Sequence, residues 1–555
     1  MKKNHPVFNK QSRLTLTPVL DESANSTLAV FDAAHIKQKL PELLKVQNDF
    51  FPCFDWTFPP PLLSKSKPLT KSDELFSNPS VIPGRYSIYL HSPFCKSLCD
   101  FCYYSVIPGK GIHLSEQYVT HLIKEMALYA KTFSDQMCES IYFGGGTPTF
   151  LDDDLLTLIF NALFSYFDIS DQAEITIESA PGTLSKEKCE LLKKLGVNRI
   201  SYGIQTLDEE LLSGMNRDYS VTNAIKELQH AISIIGNVNV DTMYGFNNEN
   251  DDTLINTLKK LHEIGVPSFS IYALDKQRNQ NEILFEPPLD SEYDNKIKTF
   301  SLAEKFLKDL GYIPVLQNIF IDPTRASYRH QLRRWDNLPL IALGINSQGY
   351  APQKTYQNTA SIKSYYQMIE NGLLPISTMD ELDPELELCR ELTSKLRFTF
   401  VSLAEFEYKY GIDIKQVFQH LIECLSELGF IECRYDILRM TEKAAYYNNI
   451  IPMLFAPDKF KDKLMSLPEE YIEAFPIPYI MTKLGKAQSY PFNFKQNKHK
   501  FNIDRRTNWN RRQTAGIKEI DCRRLKTGRR SIDGMINWST SNEHTISEDP
   551  KPYHL

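Results

Sequence analysis

The sequence predicts an α/β protein, in which a parallel sheet of six β–α units is followed by a small α+β unit. Strand-like runs at 87–91, 140–145, 174–179, 199–205, 237–246 and 268–274 alternate with helix-like stretches at 115–132, 151–166, 184–195, 221–235, 251–264 and 293–310. Alternation on this scale is typical of parallel strands joined by right-handed crossovers. In such folds functional side chains lie at the carboxyl ends of the strands.

Composition narrows the class of protein. The 555 residues are enough for two to four domains. A net charge of −6 gives no global reason to expect nucleic acid or an anionic membrane as a partner. No run approaches the roughly 18 apolar residues of a spanning helix, and the first residues lack the apolar core of a secretory signal. Ten cysteines do not make a disulfide scaffold in a chain of this length, so we expect a reducing cytoplasm.

Four segments differ in composition. Residues 1–80 hold one helix-like stretch and several prolines, which indicates an extended N-terminal strap. Residues 81–375 carry the regular alternation and its continuation, and residues 376–456 read as the small C-terminal unit. In 457–555, the stretch from Lys495 to Arg530 holds thirteen Lys or Arg against three Asp or Glu. We predict a disordered basic tail there, with contact to RNA or anionic lipid as the alternative.

Three cysteines directly follow the first strand. Cys95, Cys99 and Cys102 fall within eight residues. Zinc sites usually recruit a second Cys or His pair, and a closed four-cysteine cluster needs a fourth thiolate, whereas the next cysteine is Cys138, beyond a helical segment. One alternative is that the three cysteines are simply buried or occur together by chance. The economical interpretation is a [4Fe–4S] cluster with one open iron. An open iron can be chelated by S-adenosylmethionine, whose one-electron cleavage yields a carbon radical.

The residues around the cysteines resemble a known family. The pattern from Tyr89 to Cys102, Tyr-x-His-x-Pro-Phe-Cys-x-x-x-Cys-x-x-Cys, is similar to that of the radical-SAM superfamily, and its flanks resemble oxygen-independent coproporphyrinogen III oxidase. The resemblance covers roughly Tyr86 to Ala456. It implies a partial (βα)6 radical-SAM barrel with a winged-helix-like C-terminal domain, and a one-electron reductant such as flavodoxin or ferredoxin.

The resemblance also implies contacts to S-adenosylmethionine at the strand ends. The turn after the second strand would meet the methionyl end, a carboxylate on the third would bind the ribose hydroxyls, and an arginine could bind the cofactor carboxylate. The residues at the matching positions are Tyr89, Gly145, Gly146, Thr147, Glu178, Gln205, Arg217, Asp241 and Ala273. One departure follows the fifth strand. The family usually continues there with Gly-x-Pro, whereas this chain has Asn247-Asn248.

Two later segments resemble the haem-chaperone and class C methyltransferase branch of the family. Arg329 to Trp335 is similar to an Arg-His-Asn-x-x-Tyr-Trp motif, with Gln331 and Arg334 at the Asn and Tyr positions. Gly344 to Gly349 is similar to a glycine-rich turn in which Asn346 replaces the usual His.

The C-terminal unit resembles a winged helix. Helices are predicted at 385–396, 402–409 and 413–427, followed by a hairpin of 429–433 and 437–441. The stretch from Ile414 to Leu425, which would read DNA in such a domain, carries Lys415 as its one cation. We therefore expect a lid over the substrate, and not a nucleic-acid reader.

Three functions fit these motifs. Oxidation of a porphyrin propionate is the first, although those oxidases carry a further Cys where Tyr104 stands. The second is a methyltransferase or cyclopropanase that uses two S-adenosylmethionine molecules. The third is a chaperone that carries haem, with His330 as an axial ligand. Because Gln331 and Arg334 depart from the chaperone branch, we prefer catalysis on a small-molecule or porphyrin-type substrate.

Overall fold

The structure is a computed structural model that describes residues 71–455 apart from 79, 81–82, 100, 103–105, 110–111, 218, 247–248, 251, 275–289, 317, 383, 399 and 446–449. Most of the predicted N-terminal strap and all of the predicted basic tail lie outside the described residues, as do Tyr104, Asn247 and Asn248.

The strands form one large sheet and two small ones. Their bounds are β1 Arg85–Ser92, β2 Phe94–Cys95, β3 Ile107–Pro108, β4 Met137–Gly145, β5 Asp168–Ser179, β6 Arg199–Gln205, β7 Asn237–Tyr244, β8 Ser268–Ala273, β9 Ile313–Leu316, β10 Ile319–Ile321, β11 Leu340–Leu343, β12 Gln348–Ala351, β13 Lys354–Asn358, β14 Ile376–Glu381, β15 Phe400–Ser402, β16 Ile431–Arg434 and β17 Ile437–Met440. The large sheet has the order β14-β13-β12-β11-β1-β4-β5-β6-β7-β8-β10-β9.

Helices connect these strands. Their bounds are α1 Ser72–Leu75, α2 Ile112–Ala130, α3 Asp153–Tyr166, α4 Lys186–Lys194, α5 Glu209–Gly214, α6 Val221–Ile234, α7 Thr253–Ile264, α8 Asp290–Asp309, α9 His330–Trp335, α10 Ile362–Glu370, α11 Pro384–Phe398, α12 Leu403–Tyr410, α13 Ile414–Val417, α14 Gln419–Glu427, α15 Glu442–Ala445 and α16 Ile450–Met453. A 3-10 turn at Pro148–Phe150 follows β4.

The six predicted parallel strands are confirmed. β1, β4, β5, β6, β7 and β8 pair in this order, each parallel to the next. Their crossover helices bury an apolar stripe against the sheet, as in α6, where Val221, Ala224, Leu228 and Ala231 are buried. β5 begins at Asp168, six residues before the predicted start, because its polar first half carries no alternation that a sequence pattern could show.

Four further strands lengthen the sheet beyond β1. β11 pairs parallel to β1, and β12, β13 and β14 follow as an antiparallel extension. The predicted start of the C-terminal unit, residue 376, is the first residue of β14 and belongs to this large sheet. The elements of the small unit itself begin at Pro384, with helices around the β15-β17-β16 sheet.

The small unit differs from prediction in its third helix. The predicted helix at 413–427 is divided into α13 and α14 by Phe418, whose φ of −107° and ψ of 25° interrupt the helical turn. The hairpin is present as β16 and β17, which pair antiparallel from Ile431 to Met440. This agrees with the expected winged-helix-like layout.

The interior of the barrel is polar at its amino-terminal end. Strand alternation turns Ser87, Ser140 and Asn239 inward, where Ser140 Oγ donates to Ser87 Oγ over 2.8 Å. The apolar core lies outside this layer, between the sheet and the helices, and includes fully buried Leu90 and Ile141. The fold therefore leaves the carboxyl ends of the strands for ligands.

Candidate functional site

The three predicted cluster cysteines lie on one loop at the carboxyl end of β1. Cys95 is in β2, whose pairing with β3 closes the loop that carries Cys99 and Cys102. Within the loop, the Cys102 amide donates to the Cys99 carbonyl oxygen over 3.1 Å. None of the three forms a disulfide, and all three are partly exposed, so their sulfur atoms are available as ligands of a shared metal centre.

The glycine-rich turn after β4 packs against this loop. The Gly146 amide donates to the Ser92 carbonyl over 2.6 Å, and the Thr147 amide donates to the Phe94 carbonyl over 2.8 Å. A Cβ at Gly146 would lie 2.9 Å from Cys95 Sγ, closer than side-chain atoms approach one another, so only glycine fits there. The Thr147 hydroxyl lies 3.5 Å from Cys95 Sγ.

Burial dominates the electrostatics at Cys95. It raises the pKa of the Cys95 thiol to about 12, although the hydrogen bond from Thr147 lowers it. The thiol would therefore stay protonated near neutral pH, and a coordinated iron would deprotonate it. The donor set of three thiolates on one loop fits an iron–sulfur cluster.

Glu178 lies directly beside the turn. Its Oε1 accepts a hydrogen bond from the Tyr142 hydroxyl over 2.7 Å, and its Oε2 accepts one from the Gly145 amide over 2.9 Å. Burial raises the pKa of Glu178 to about 7, since these two hydrogen bonds only partly offset the loss of water. The carboxylate can still accept hydrogen bonds on its remaining lone pairs, which suits a ligand hydroxyl pair.

Asp241 faces the same interior from β7. It accepts hydrogen bonds from Asn239 Nδ2 over 2.8 Å and from the Ser201 hydroxyl over 3.2 and 3.3 Å. Burial raises its pKa, and the Arg199 guanidinium opposes that rise. Arg199 is 1% exposed and stacks on Tyr328 at 4.2 Å, so a buried cation balances the two carboxylates from the opposite end of the barrel.

Arg217 and Gln205 reach the site from the region after β6. Arg217 Nε lies 3.3 Å from Cys99 Sγ, and its Nη1 donates to the Gly203 carbonyl, which places this cation beside the cysteine loop. Gln205 has a φ of +74°, a conformation that is costly without a functional or packing reason. The structure thus brings both predicted side chains to the carboxyl end of the sheet.

Tyr89 and Ala273 complete the predicted set. Tyr89 stacks on Tyr142 with 6.1 Å between ring centroids, and its hydroxyl lies 3.2 Å from His91 Nδ1. Ala273 is the last residue of β8 and packs against the apolar core. All the predicted site residues therefore lie at one rim of the barrel.

His330 lies inside the barrel beneath the rim, with its ring centroid 5.2 Å from that of Tyr142. It is 2% exposed at the amino-terminal end of the barrel, where its Nδ1 is 2.9 Å from Ser140 Oγ. Its amide and that of Arg329 donate to the Glu174 carboxylate over 3.0 and 2.8 Å. Burial lowers the pKa of His330 to about 3. An imidazole buried in these contacts is not presented at the surface, which weighs against His330 as an axial ligand of haem.

Two supporting residues escaped sequence reasoning. Tyr142 contacts both Tyr89 and Glu178. Its position two residues before Gly144 could have identified it, because residues two apart in a strand face the same side of the sheet. The second is Glu125 on α2, a fully buried carboxylate that accepts hydrogen bonds from the Gly344 amide over 2.7 Å and the Tyr365 hydroxyl over 2.6 Å. Only long-range packing reveals it.

A separate acidic group lies in the C-terminal unit and its junction with the barrel. Asp336, Glu391 and Glu405 have carboxylate oxygens within 4.8 Å of one another. Lys395 Nζ lies 2.8 Å from Asp336 and 3.1 Å from Glu391, and Lys409 Nζ lies 2.9 Å from Glu391. The two ammonium groups thus pair with the three carboxylates and occupy the space between them.

Within the described ranges, we find no helix with the length and apolar character needed to cross a membrane.

Comparison with known proteins identifies relatives of this chain. The Radical SAM superfamily matches residues 89–261. Heme chaperone HemW of Bacillus subtilis is 26% identical over 376 residues, which cover 65% of this chain and 97% of the relative. Oxygen-independent coproporphyrinogen III oxidase of Synechocystis sp. is 26% identical over 402 residues, covering 67% and 83%. The solved structure of coproporphyrinogen III oxidase (HemN) from Escherichia coli matches with a TM-score of 0.63 and 21% identity, over 73% of this chain and 97% of that one, and confirms the fold.

Proposed function

We propose that this chain, which belongs to the radical SAM superfamily and is similar to both coproporphyrinogen oxidases and haem chaperones, is an enzyme that modifies an unreactive carbon of its substrate. Radical SAM proteins use a [4Fe–4S] cluster and S-adenosylmethionine. When bound, these groups supply a 5′-deoxyadenosyl radical that removes a hydrogen atom from carbon. The modification is C-methylation or an oxidation of the kind made on porphyrin side chains.

The contact between the glycine turn and the cysteine loop carries this proposal. A Cβ at Gly146 would lie 2.9 Å from Cys95 Sγ, and the neighbouring Gly145 amide donates to Glu178, so the cysteine loop and a carboxylate suited to a nucleoside meet at one turn. This arrangement supports chemistry that uses cluster and nucleoside together.

Each residue has a proposed role in that arrangement. Cys95, Cys99 and Cys102 hold the cluster. Glu178 accepts the ribose hydroxyls, and Arg217, beside Cys99, holds the cofactor carboxylate. The remaining predicted contacts surround the nucleoside and methionyl groups, namely Tyr89, Gly145, Gly146, Thr147, Gln205, Asp241 and Ala273.

The alternative is a haem chaperone, which the names of several relatives favour. The burial of His330 weighs against this side chain as the ligand for haem iron. A chaperone would need another axial ligand on the surface of this chain. We therefore place catalysis first.

One experiment separates these functions. The protein is reconstituted anaerobically with iron and sulfide, then incubated with reductant and S-adenosylmethionine, and nucleoside products are measured. 5′-Deoxyadenosine alone fits oxidation, and its appearance together with S-adenosylhomocysteine fits methylation. The chaperone is favoured if neither product exceeds the level of a Cys99→Ala control and the protein binds haem stoichiometrically.

A further inference from the structure

The antiparallel extension of the sheet continues the concave face of the barrel. Ser87 faces the interior and pairs with Leu340 of β11, which pairs with Tyr350 of β12. Tyr350 in turn pairs with Thr355, and Thr355 pairs with Asp380. Because directly paired residues point to the same face of a sheet, Asp380 lies on the face that also carries the cofactor-side residues.

A cavity of about 50 Å³ lies on this extension. Its polar lining includes Arg334, Gln348, Thr355, Gln357, Asp380 and Arg390. One water molecule needs roughly 10 to 15 Å³ of such space, so the cavity has room for a group of about three to five non-hydrogen atoms. Gln348 is exposed at its edge, which leaves the cavity open to solvent.

Asp380 provides an unused acceptor in this cavity. Its side chain is 7% exposed, and Oδ1 has no hydrogen-bond partner among the described residues. A buried carboxylate oxygen without a donor is costly, so such atoms usually meet a ligand or ordered water. Burial also raises the pKa of Asp380 to about 6. Near neutral pH the carboxylate is therefore mostly ionised, and a bound cationic group would stabilise that charge.

Arginines provide the opposite charge at the other side. The Arg390 guanidinium lies 4.1 Å above the Tyr350 ring, and its Nη1 donates to Asn337 Oδ1. Arg334 lines the cavity as well, with its Nη1 3.4 Å from Gln331 Oε1. The backbones of Tyr350 and Asp380 are two strands apart, about 9 to 10 Å, with the Arg390 guanidinium on the Tyr350 side.

We propose that this cavity binds the α-amino-carboxylate group of an amino acid. The ammonium group donates to Asp380, and the carboxylate accepts from Arg334 and Arg390. A simple anion would be repelled by Asp380, and a metal cation by the two guanidinium groups, whereas a zwitterion matches both ends. A five-atom group with a hydrogen bond at each end also spans roughly 9 Å.

The bound group belongs either to a free amino acid or to the amino-acid end of a larger molecule. The cavity lies outside the residues proposed to hold the cluster and the nucleoside. The inference therefore stands independently of the proposed radical reaction, and its test uses no activity measurement.

Calorimetric titration of the full chain, purified anaerobically, tests the site. Glycine should bind saturably, while acetate and methylammonium, which each match one end alone, should bind at least tenfold more weakly. Binding of L-methionine as well as glycine would indicate that the opening accepts a side chain and support the larger molecule. Glycine binding without methionine binding would support a small free amino acid.

Variants assign the binding to these residues. Asp380→Asn should weaken glycine binding at least tenfold, and Arg334→Gln should weaken it as well. Glu381→Gln, an equal loss of charge at the next, exposed residue of β14, should leave it unchanged. Far-UV circular dichroism would show that each variant is folded. The proposal is overturned by folded wild-type protein that gives no saturable glycine binding, or by unchanged binding in both Asp380→Asn and Arg334→Gln.

Discussion

The Tyr142 hydroxyl donates to Glu178 Oε1 over 2.7 Å, while the Gly145 amide holds the other oxygen at 2.9 Å. These two bonds fix the carboxylate beside the glycine turn. A hydrogen bond to a charged group contributes roughly 1.5 to 3 kcal/mol. We expect Glu178→Ala to keep the iron–sulfur cluster but to weaken S-adenosylmethionine binding about 10- to 150-fold in calorimetry.

The matched control for this change is Glu190→Gln on α4, a surface carboxylate with a 57% exposed side chain. It should bind the cofactor like the wild type. Unchanged cofactor affinity in Glu178→Ala would refute the assignment of this carboxylate to the nucleoside.

The same carboxylate predicts a pH dependence. Burial raises the pKa of Glu178 to about 7, so the side chain is mostly protonated at pH 6 and mostly ionised at pH 8. The ionised form is the stronger acceptor for ribose hydroxyls. Cofactor affinity should therefore rise between pH 6 and pH 8, and Tyr142→Phe, which removes a bond that lowers this pKa, should move the rise to higher pH. Affinities measured at several pH values check this, and a wild-type curve that is flat across the range would count against it.

The cysteine loop predicts which thiols hold iron. Single changes of Cys95, Cys99 or Cys102 to Ala should each abolish the cluster absorbance after reconstitution, because a three-thiolate site cannot lose a ligand. Cys433, which lies in the small unit on β16, serves as the control and should retain about four irons per chain when changed to Ala. A full cluster signal in the Cys99→Ala protein would contradict the assignment.

The position of His330 separates a structural role from haem binding. Its ring fills the amino-terminal end of the barrel beside Ser140, so His330→Ala leaves a cavity and unpaired polar groups. We expect it to lower the free energy of unfolding by roughly 2 to 3 kcal/mol, as measured by urea titration, without specific loss of any haem absorbance. Ser140→Ala, which removes the hydroxyl alone, should cost less. Stoichiometric haem binding that disappears in His330→Ala but persists in Ser140→Ala would reverse this conclusion.

The sequence predicts the barrel because the patterns that mark its strands and helices are local. Strands β4 to β8 each have their own apolar run and their own following helix, so the alternation marks them one at a time. It also located Cys95 and Glu178, since both follow directly from a strand end. The parallel order of the strands then follows from crossover handedness.

The remainder depends on contacts between distant residues. β11 pairs with β1 across about 250 positions of sequence, and no local pattern specifies that register. The Glu125 bonds to Gly344 and Tyr365 arise from the same packing. The motif around His330 allows an axial haem ligand under the chaperone hypothesis, because a motif does not show which end of the barrel its residues close.

Glu125 gives the last prediction, which concerns stability. Its pKa is raised to about 7 by complete burial, although Tyr365, Gly344 and Asn358 donate hydrogen bonds that lower it. In the unfolded chain a Glu titrates near pH 4.3. Between these values the folded protein holds a proton that the unfolded chain has lost, so this group's contribution to stability falls as pH rises through the window.

Glu125→Gln cannot titrate and should lack this contribution. The difference in unfolding free energy between wild type and Glu125→Gln should therefore shift by on the order of 3 kcal/mol against the wild type from pH 5 to pH 8. Comparing the two proteins cancels the other buried carboxylates, including Glu178. The control is Glu370→Gln on α10. The Glu370 side chain is 53% exposed, and its carboxylate pairs with Lys124. Urea unfolding at several pH values measures the shift, and parallel stability curves for wild type and Glu125→Gln would show that this carboxylate keeps an ordinary pKa in the folded protein.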